Sequence, residues 1–134
     1  MAIRLLTATA LVSILAGCAT LNGGAGEKYQ FDRLYFGRAI ADTGFVSDSA
    51  WSGFLKDVVT PRFPAGFTAS KSEGQWRSAS GSIVREPGVI LDIVHPPAAV
   101  YDSAIRAIIQ EYKKRFNQEA VMRLTTSARV TFGN

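Results

Sequence analysis

The sequence predicts an α+β domain with the ferredoxin-like order of elements, βαββαβ, and an extra β-hairpin between the second and third strands. Three observations support this prediction. Short apolar runs typical of strands alternate with two longer segments whose apolar residues recur at helical spacing. The chain has 134 residues, and the part after an N-terminal apolar segment is long enough for one domain and too short for two. Because the chain has a single cysteine, its stability must come from a packed core.

The N-terminus has the pattern of a bacterial secretion signal. Residues 1–4 carry a positive charge, and residues 5–15 form an apolar run too short to cross a bilayer, which takes about 20 residues. Residues 16–18, Ala-Gly-Cys, then resemble the lipobox, at which signal peptidase II cuts before an acylated cysteine. We therefore expect a signal peptide over residues 1–17 and lipidation of Cys18. The alternative is an ordinary signal peptide with Cys18 as a free thiol.

Lipidation predicts a location in the bacterial cell envelope, anchored to the membrane through acyl chains such as palmitate. Ala19 stands where an aspartate retains many lipoproteins of the enteric type in the inner membrane. We therefore expect the outer membrane, with the protein facing the periplasm. Residues 18–28 are rich in glycine and predict a flexible tether, which leaves residues 29–134 for the domain.

The amino-acid composition limits the kinds of catalytic and metal-binding site that this domain can have. With Cys18 lipidated, the mature domain has no thiol, which excludes disulfides, cysteine nucleophiles and thiolate metal sites. One histidine with scattered carboxylates makes a poor metal site, so we expect neither a metal nor a cofactor. The net charge of +4 is modest, and export separates the protein from nucleic acid, so no nucleic-acid partner is expected.

The domain begins with a predicted strand and a predicted helix. Residues 29–38 are rich in aromatic side chains and alternate as a strand does. Ser47 is a predicted N-cap, and Val46 and Trp51 on either side of it have the spacing of a hydrophobic staple. Apolar residues then recur at helical spacing until Pro61 ends the helix.

Two further strands and the hairpin are predicted next. Residues 67–72 form the second strand, and residues 75–77 and 83–85 flank a polar turn as a small hairpin. Residues 89–95 are almost continuously apolar. This third strand is therefore expected at the centre of the sheet.

A second helix and the last strand complete the predicted order. The apolar stripe of this helix consists of Tyr101, Ile105, Ile108, Ile109, Tyr112 and Phe116, and the helix is expected to end near Asn117. The final strand or strand pair is predicted at residues 121–124, with a continuation at residues 130–132. In a ferredoxin-like sheet these strands have the order 4-1-3-2, and both helices cover the same face.

Several segments together resemble one bacterial family. They are residues 35–38, 59–68, 74–77, 84–87, 112–116 and 118–121, with Trp51 and Phe54 between the first two segments. The most specific are Thr60-Pro61-Arg62-Phe63-Pro64 and Gly74-Gln75-Trp76. On these residues the chain is similar to the domain-of-unknown-function family numbered 3574, in which exported and lipid-anchored members are typical. The resemblance implies no activity, cofactor or catalytic residue.

Three residues are the candidates for acid–base catalysis: His95, Tyr35 and Glu86. His95 is the only histidine and lies at the end of the third predicted strand. Neither the spacing of a Ser-His-Asp triad nor a G-x-S-x-G motif accompanies it, so a structural role for His95 is favoured. A small envelope enzyme that uses these residues on the open face of the sheet is the alternative function.

The sheet face opposite the helices is the stronger candidate for a functional surface. We expect Leu34, Phe36, Leu91 and Ile93 to face the helices. The outward set is then Arg33, Tyr35, Ile90, Asp92 and Val94, joined by Arg123 from the final strand. Three arrangements are open: a binding surface, a homodimer interface, and a surface covered by the hairpin that carries Trp76.

The ligand-binding candidates follow from this surface and from one connection. They are Arg33, Tyr35, Trp76, Asp92 and Arg123, together with Arg62, which could hold an anion after the first helix. Arg33 and Asp92 are expected to form a cross-strand ion pair. Taken together, the sequence favours a non-enzymatic binding or interaction module at the membrane, with a structural component of a larger assembly as a further alternative.

Overall fold

The computed structural model describes residues 26–40, 44–77 and 80–133. Within these ranges a four-stranded antiparallel sheet carries two helices on one face, which confirms the predicted α+β fold. The elements are β1 (Glu27–Gly37), β2 (Ala39–Ile40), β3 (Gly44–Phe45), α1 (Asp48–Phe54), β4 (Thr68–Arg77), β5 (Ile83–His95), α2 (Ala99–Arg115) and β6 (Met122–Val130). The predicted signal peptide, Cys18 and most of the predicted tether lie outside the described residues.

The main sheet has the strand order β4-β5-β1-β6, and all its neighbours are antiparallel. This is the order predicted from the ferredoxin-like arrangement. Leu34 of β1 lies opposite Leu91 of β5 on one side and Arg123 of β6 on the other. Since directly opposed residues share a face of the sheet, this register decides which side chains meet the helices.

The predicted hairpin is the outer part of two long strands. The second predicted strand and the first arm of the hairpin form one strand, β4, and the second arm continues into the third predicted strand as β5. Pro87 lies inside β5, but β1 ends opposite Gly88, so Pro87 has a partner strand on one side only. A strand can carry a proline at such a position. The last strand is likewise continuous, from Met122 to Val130.

The first helix begins as the sequence predicts. The Ser47 hydroxyl accepts a hydrogen bond from the Ala50 N–H at 3.1 Å and caps the helix. Val46 and Trp51 are both buried beside this cap, as in a hydrophobic staple. After α1 the chain continues as a π-helical turn, Leu55–Val59, which ends two residues before Pro61.

The core lies between the sheet and the two helices. It combines apolar side chains of β1 and β5 with the buried residues of both helices: Leu34, Phe36, Val89, Leu91, Ile93, Trp51, Phe54, Ile105, Ile108 and Tyr112. Aromatic rings pack closely at its centre; the Phe36 and Tyr112 ring centroids are 4.6 Å apart, and those of Phe54 and Tyr112 are 5.2 Å apart. The Tyr112 hydroxyl donates a hydrogen bond to the Gly37 carbonyl at 2.8 Å, and burial raises its pKa to about 12.

The predicted division of the sheet into two faces is correct for β1 and β5. Leu34 and Leu91 are fully buried beneath the helices, whereas Val94 on the outward face is 44% exposed. The predicted position of Arg123 is wrong. Arg123 lies opposite Leu34 and therefore on the helix side, where it forms an ion pair with the buried Asp32.

The hairpin arm does not cover the outward face. Trp76 lies opposite Val84 in the same sheet and is 50% exposed. No helix or strand within the described ranges covers the outward face, which is named the open face. None of the helices within the described ranges is long and apolar enough to span a bilayer.

Candidate binding cleft

A cleft of about 750 Å³ opens at the end of the sheet where β1 begins and β5 ends. The connection from the π-helical turn to β4 forms one wall, the first turn of α2 contributes to a second, and the end of β6 with the residues after it contributes to a third. Six aromatic side chains line it: Tyr29, Phe31, Phe63, Phe67, Tyr101 and Phe132. This volume lies within the range of about 300–1,000 Å³ found for small-molecule sites, which are mostly apolar with few polar groups.

Backbone hydrogen bonds hold the connection that walls the cleft. The Phe63 N–H donates to the Val59 carbonyl at 2.9 Å, and the Gly66 N–H donates to the Phe63 carbonyl at 3.2 Å. Gly66 has a φ of +133°, a conformation that a side chain rarely permits. Arg62 donates from Nη1 to the Val58 carbonyl at 2.7 Å. The segment is therefore the rigid helix-to-strand connection that its prolines predict, with Arg62 anchored on its backbone.

Stacked rings form one side of the cleft. The His95 and Tyr101 ring centroids are 5.0 Å apart with the planes 30° from parallel, and those of Phe63 and Tyr101 are 6.1 Å apart at 28°. Phe63 and His95 are buried, 5% and 2% exposed. These rings therefore pack on one another as a preformed apolar wall of the cleft.

His95 is held at both ring nitrogens by protein groups. Its Nδ1 lies 2.7 Å from the Pro96 carbonyl, and its Nε2 lies 2.7 Å from Oδ2 of Asp32. Each ring nitrogen is therefore already engaged with an oxygen of the protein. Neither nitrogen is left to exchange a proton with a ligand, which supports the structural role that the sequence favours.

Asp32 is the centre of a buried polar network that consists of Asp32, His95, Asp102, Arg123 and Thr125. Besides His95, Asp32 accepts hydrogen bonds from Arg123 Nε at 2.7 Å and from the Thr125 hydroxyl. Burial alone would raise the pKa of Asp32, but these hydrogen bonds together hold it below its usual value. Arg123 also donates to Asp102 at 2.6 Å, which lowers the Asp102 pKa. The network ties β1, β5, β6 and α2 together beside the cleft.

The three predicted acid–base candidates do not form one site. His95 is buried on the helix side, whereas Tyr35 lies on the open face opposite Ile90. His95 is five positions after Ile90 in β5, about 17 Å along a strand. Glu86 is farther still, where its carboxylate lies over Gly37.

The predicted ligand-binding residues are divided between several places. Arg62 and Asp92 both line the cleft, whereas Tyr35 and Trp76 do not. Arg33 and Asp92 form the predicted ion pair, with two hydrogen bonds of 2.7 Å, so the Asp92 carboxylate at the cleft is already neutralised. The sixth candidate, Arg123, belongs to the Asp32 network instead.

Sequence reasoning missed most of the aromatic lining as a site. Tyr29 and Phe132 were predicted only as strand residues, and Tyr101 only as part of a helical stripe. Each of these residues is an aromatic side chain near the end of a helix or strand. Only the folded structure shows that these ends lie together. Within the described ranges, no group of three or more potential metal ligands occurs, and no buried side-chain nitrogen or oxygen lacks a hydrogen-bond partner.

Comparison with known proteins gives a family and a fold. The family described as "Protein of unknown function (DUF3574)" matches residues 31–132. A phage SAM lyase in complex with S-methyl-5′-thioadenosine is 17% identical with a TM-score of 0.57, over 81% of this chain and 95% of that chain. The apo state of a phage SAM lyase is 16% identical with a TM-score of 0.55, over 83% and 95%. At such identities the likeness shows the fold alone. No curated protein matches the chain in sequence.

Proposed function

We propose that this chain, which belongs to the DUF3574 family of proteins of unknown function, is a non-enzymatic binding module held at the bacterial cell envelope by lipid on Cys18. The observation that carries the proposal is the aromatic cleft, which has the volume and the apolar lining of a small-molecule site. Its walls come from parts of the chain far apart in sequence. Such a cleft exists only in the folded domain and is ready to receive a ligand without rearrangement.

Binding is favoured over catalysis because the charged side chains at the cleft are engaged with protein groups. His95 is hydrogen-bonded at both ring nitrogens, Asp92 pairs with Arg33, and Arg62 donates to a backbone carbonyl. A general acid or base has to reach the substrate within hydrogen-bond distance in order to transfer a proton. The alternative of a small enzyme on the open face would have to work without His95, which lies on the other side of the sheet.

The lining indicates the chemical class of the ligand. Aromatic rings with few polar groups favour a flat ring of low net charge, oriented by hydrogen bonds to groups such as the Thr68 hydroxyl. A nucleoside without phosphate is one member of this class. S-methyl-5′-thioadenosine, which a phage SAM lyase of similar fold binds, is another such nucleoside and a reasonable first compound to test.

The envelope location rests on the sequence of the N-terminus. The lipobox-like residues 16–18 follow a short apolar run, and Ala19 favours sorting to the outer membrane. The Gly-rich segment between Cys18 and β1 is short. It should therefore keep the domain within about 20 Å of the bilayer, on the periplasmic side.

A fluorescent probe for apolar clefts tests the binding site. We expect 1-anilinonaphthalene-8-sulfonate to bind the chain from residue 24 onward, which retains every described element. Phe132→Ala should weaken this binding about 10-fold because one exposed wall of the cleft is lost. Phe132 is 81% exposed, so the substitution should leave the fold intact.

Phe45→Ala is the matched control, because Phe45 is also exposed, at 62%, and lies outside the cleft. It should leave the affinity unchanged. Amide chemical shifts during the titration locate the probe, and we expect them to change in residues 62–68 and 94–101. Equal affinity of both variants, with shifts confined to the open face, would contradict the proposed site.

A further inference from the structure

The open face is an apolar surface that no element of the described chain covers. Its central side chains come from three neighbouring strands and are largely apolar: Phe31, Tyr35, Ile90, Val94, Met122 and Leu124. Leu124 and Met122 are 50% and 59% exposed. Side chains of this kind in adjacent rows form a continuous patch, and monomeric proteins rarely expose large patches of this type.

The two charged side chains at the centre of this face, Arg33 and Asp92, neutralise each other. Arg33 lies against Asp92 with two hydrogen bonds of 2.7 Å, and its guanidinium carbon lies 5.4 Å from the centroid of the Phe31 ring. The guanidinium therefore lies next to Phe31, and its charge is neutralised by Asp92. The other acidic side chains, Glu27 and Glu86, lie towards opposite ends of the face. The absence of a basic cluster among these residues argues against an anionic membrane surface as the occupant.

The size of the face fits a dimer interface. Four strands about 4.8 Å apart, with about nine residues each, give a surface of roughly 20 by 30 Å. Two such faces in contact bury about 1,200 Å² before side-chain roughness is added, which reaches the lower bound for a stable protein interface. Two sheets packed face to face lie about 10 Å apart and interdigitate their side chains.

We infer that the open face binds a second copy of this chain, with the two sheets packed against each other. A two-fold interface needs a patch that complements itself, and a largely apolar face whose central ion pair is neutral, with further acidic residues only towards its ends, meets this requirement. The two Arg33–Asp92 pairs then lie within the interface with their charges already cancelled. Phe31 and Val94 also line the cleft, so the second copy would add an outer wall to it.

Sedimentation equilibrium of the full chain in a neutrally buoyant detergent tests this inference. We expect a species of twice the chain mass. Leu124→Glu should raise the dimer dissociation constant about 100-fold, because the new carboxylate lies opposite Arg33, which already pairs with Asp92, so the interface buries one carboxylate more than it has cations. Met122→Glu should act in the same way, and circular dichroism should show that both variants remain folded, since both positions are exposed.

Val100→Glu is the matched control. Val100 is 68% exposed at the start of α2, on the helix side, and its replacement should leave the dimer intact. A monomeric wild-type chain, or a dimer that survives both Leu124→Glu and Met122→Glu, would overturn the inference, as would a different protein bound to the face in place of a second copy. None of these three positions lines the cleft, so the substitutions themselves leave its lining unchanged.

Discussion

Asp32→Asn is expected to lower the free energy of unfolding by about 3 kcal/mol at neutral pH, because it leaves a buried ion-pair network without its central charge. Asp32 is fully buried and accepts hydrogen bonds from His95, Arg123 and Thr125. Asparagine has nearly the same shape, but its amide nitrogen would face a donor where a carboxylate oxygen now accepts. Urea unfolding followed by circular dichroism measures the loss.

Asp32→Asn should also change the pH dependence of the free energy of unfolding. The pKa of Asp32 lies below 3.8 in the folded chain, whereas the unfolded chain takes up this proton near pH 3.8. The stabilisation from the carboxylate is therefore fully present above pH 3.8 and is lost as the pH falls through the lower folded-state pKa. Asp32→Asn should flatten this part of the pH profile, although Asp102 retains its own contribution.

Asp57→Asn is the control for both measurements. Asp57 is 59% exposed and lies 3.8 Å from Arg115, so its replacement should change the unfolding free energy by less than about 0.5 kcal/mol. If the two variants lost the same stability, or if the acid profile of Asp32→Asn matched that of the wild type, the Asp32 network would not hold the sheet and α2 together as described.

Cys18→Ser is expected to abolish acylation completely and to leave the signal peptide uncleaved, because signal peptidase II cuts before an acylated cysteine. Cys18 is the only cysteine, and serine provides no thiol for the lipid. On the wild type, two or three acyl chains exceed what stable anchoring requires, since each buried CH₂ contributes about 0.8 kcal/mol. Labelling of cells with an alkyne analogue of palmitate measures the first effect, and the mass of the protein measures the second.

Ala19→Asp is the matched variant for this test, because it changes the neighbouring residue and keeps the thiol. It should retain the label and, in a host with two membranes of the enteric type, move the protein towards the inner membrane. Retention of the Cys18→Ser protein in the membrane fraction with the label still attached would rule out the lipoprotein assignment.

Much of the fold could be predicted because its determinants are local. The alternation around Leu34 and the helical spacing around Ile105 each depend on neighbouring residues, and both predicted buried faces are correct. Arg123 was misplaced because its face depends on the register between β1 and β6, which are far apart in the chain. A shift of one residue in such a register reverses every side chain of a strand.

The candidate site was only partly predictable for the same reason. The Pro-rich connection around Phe63 is visible in the sequence, and its rigidity followed from the prolines. Phe132 lines the same cleft because β6 lies beside β1 in the sheet. This strand order is visible only in the folded structure. The partner of His95 in the folded chain, Asp32, is 63 residues away and carried no local signal.

We propose that the aromatic cleft holds a small molecule in the cell envelope. Native mass spectrometry of the full chain purified from envelopes is the direct test of this claim. We expect one small-molecule adduct on the wild type and on Phe45→Ala, at the same mass, and its loss or strong reduction on Phe132→Ala. The absence of any adduct on the wild type, or an undiminished adduct on Phe132→Ala, would contradict the claim.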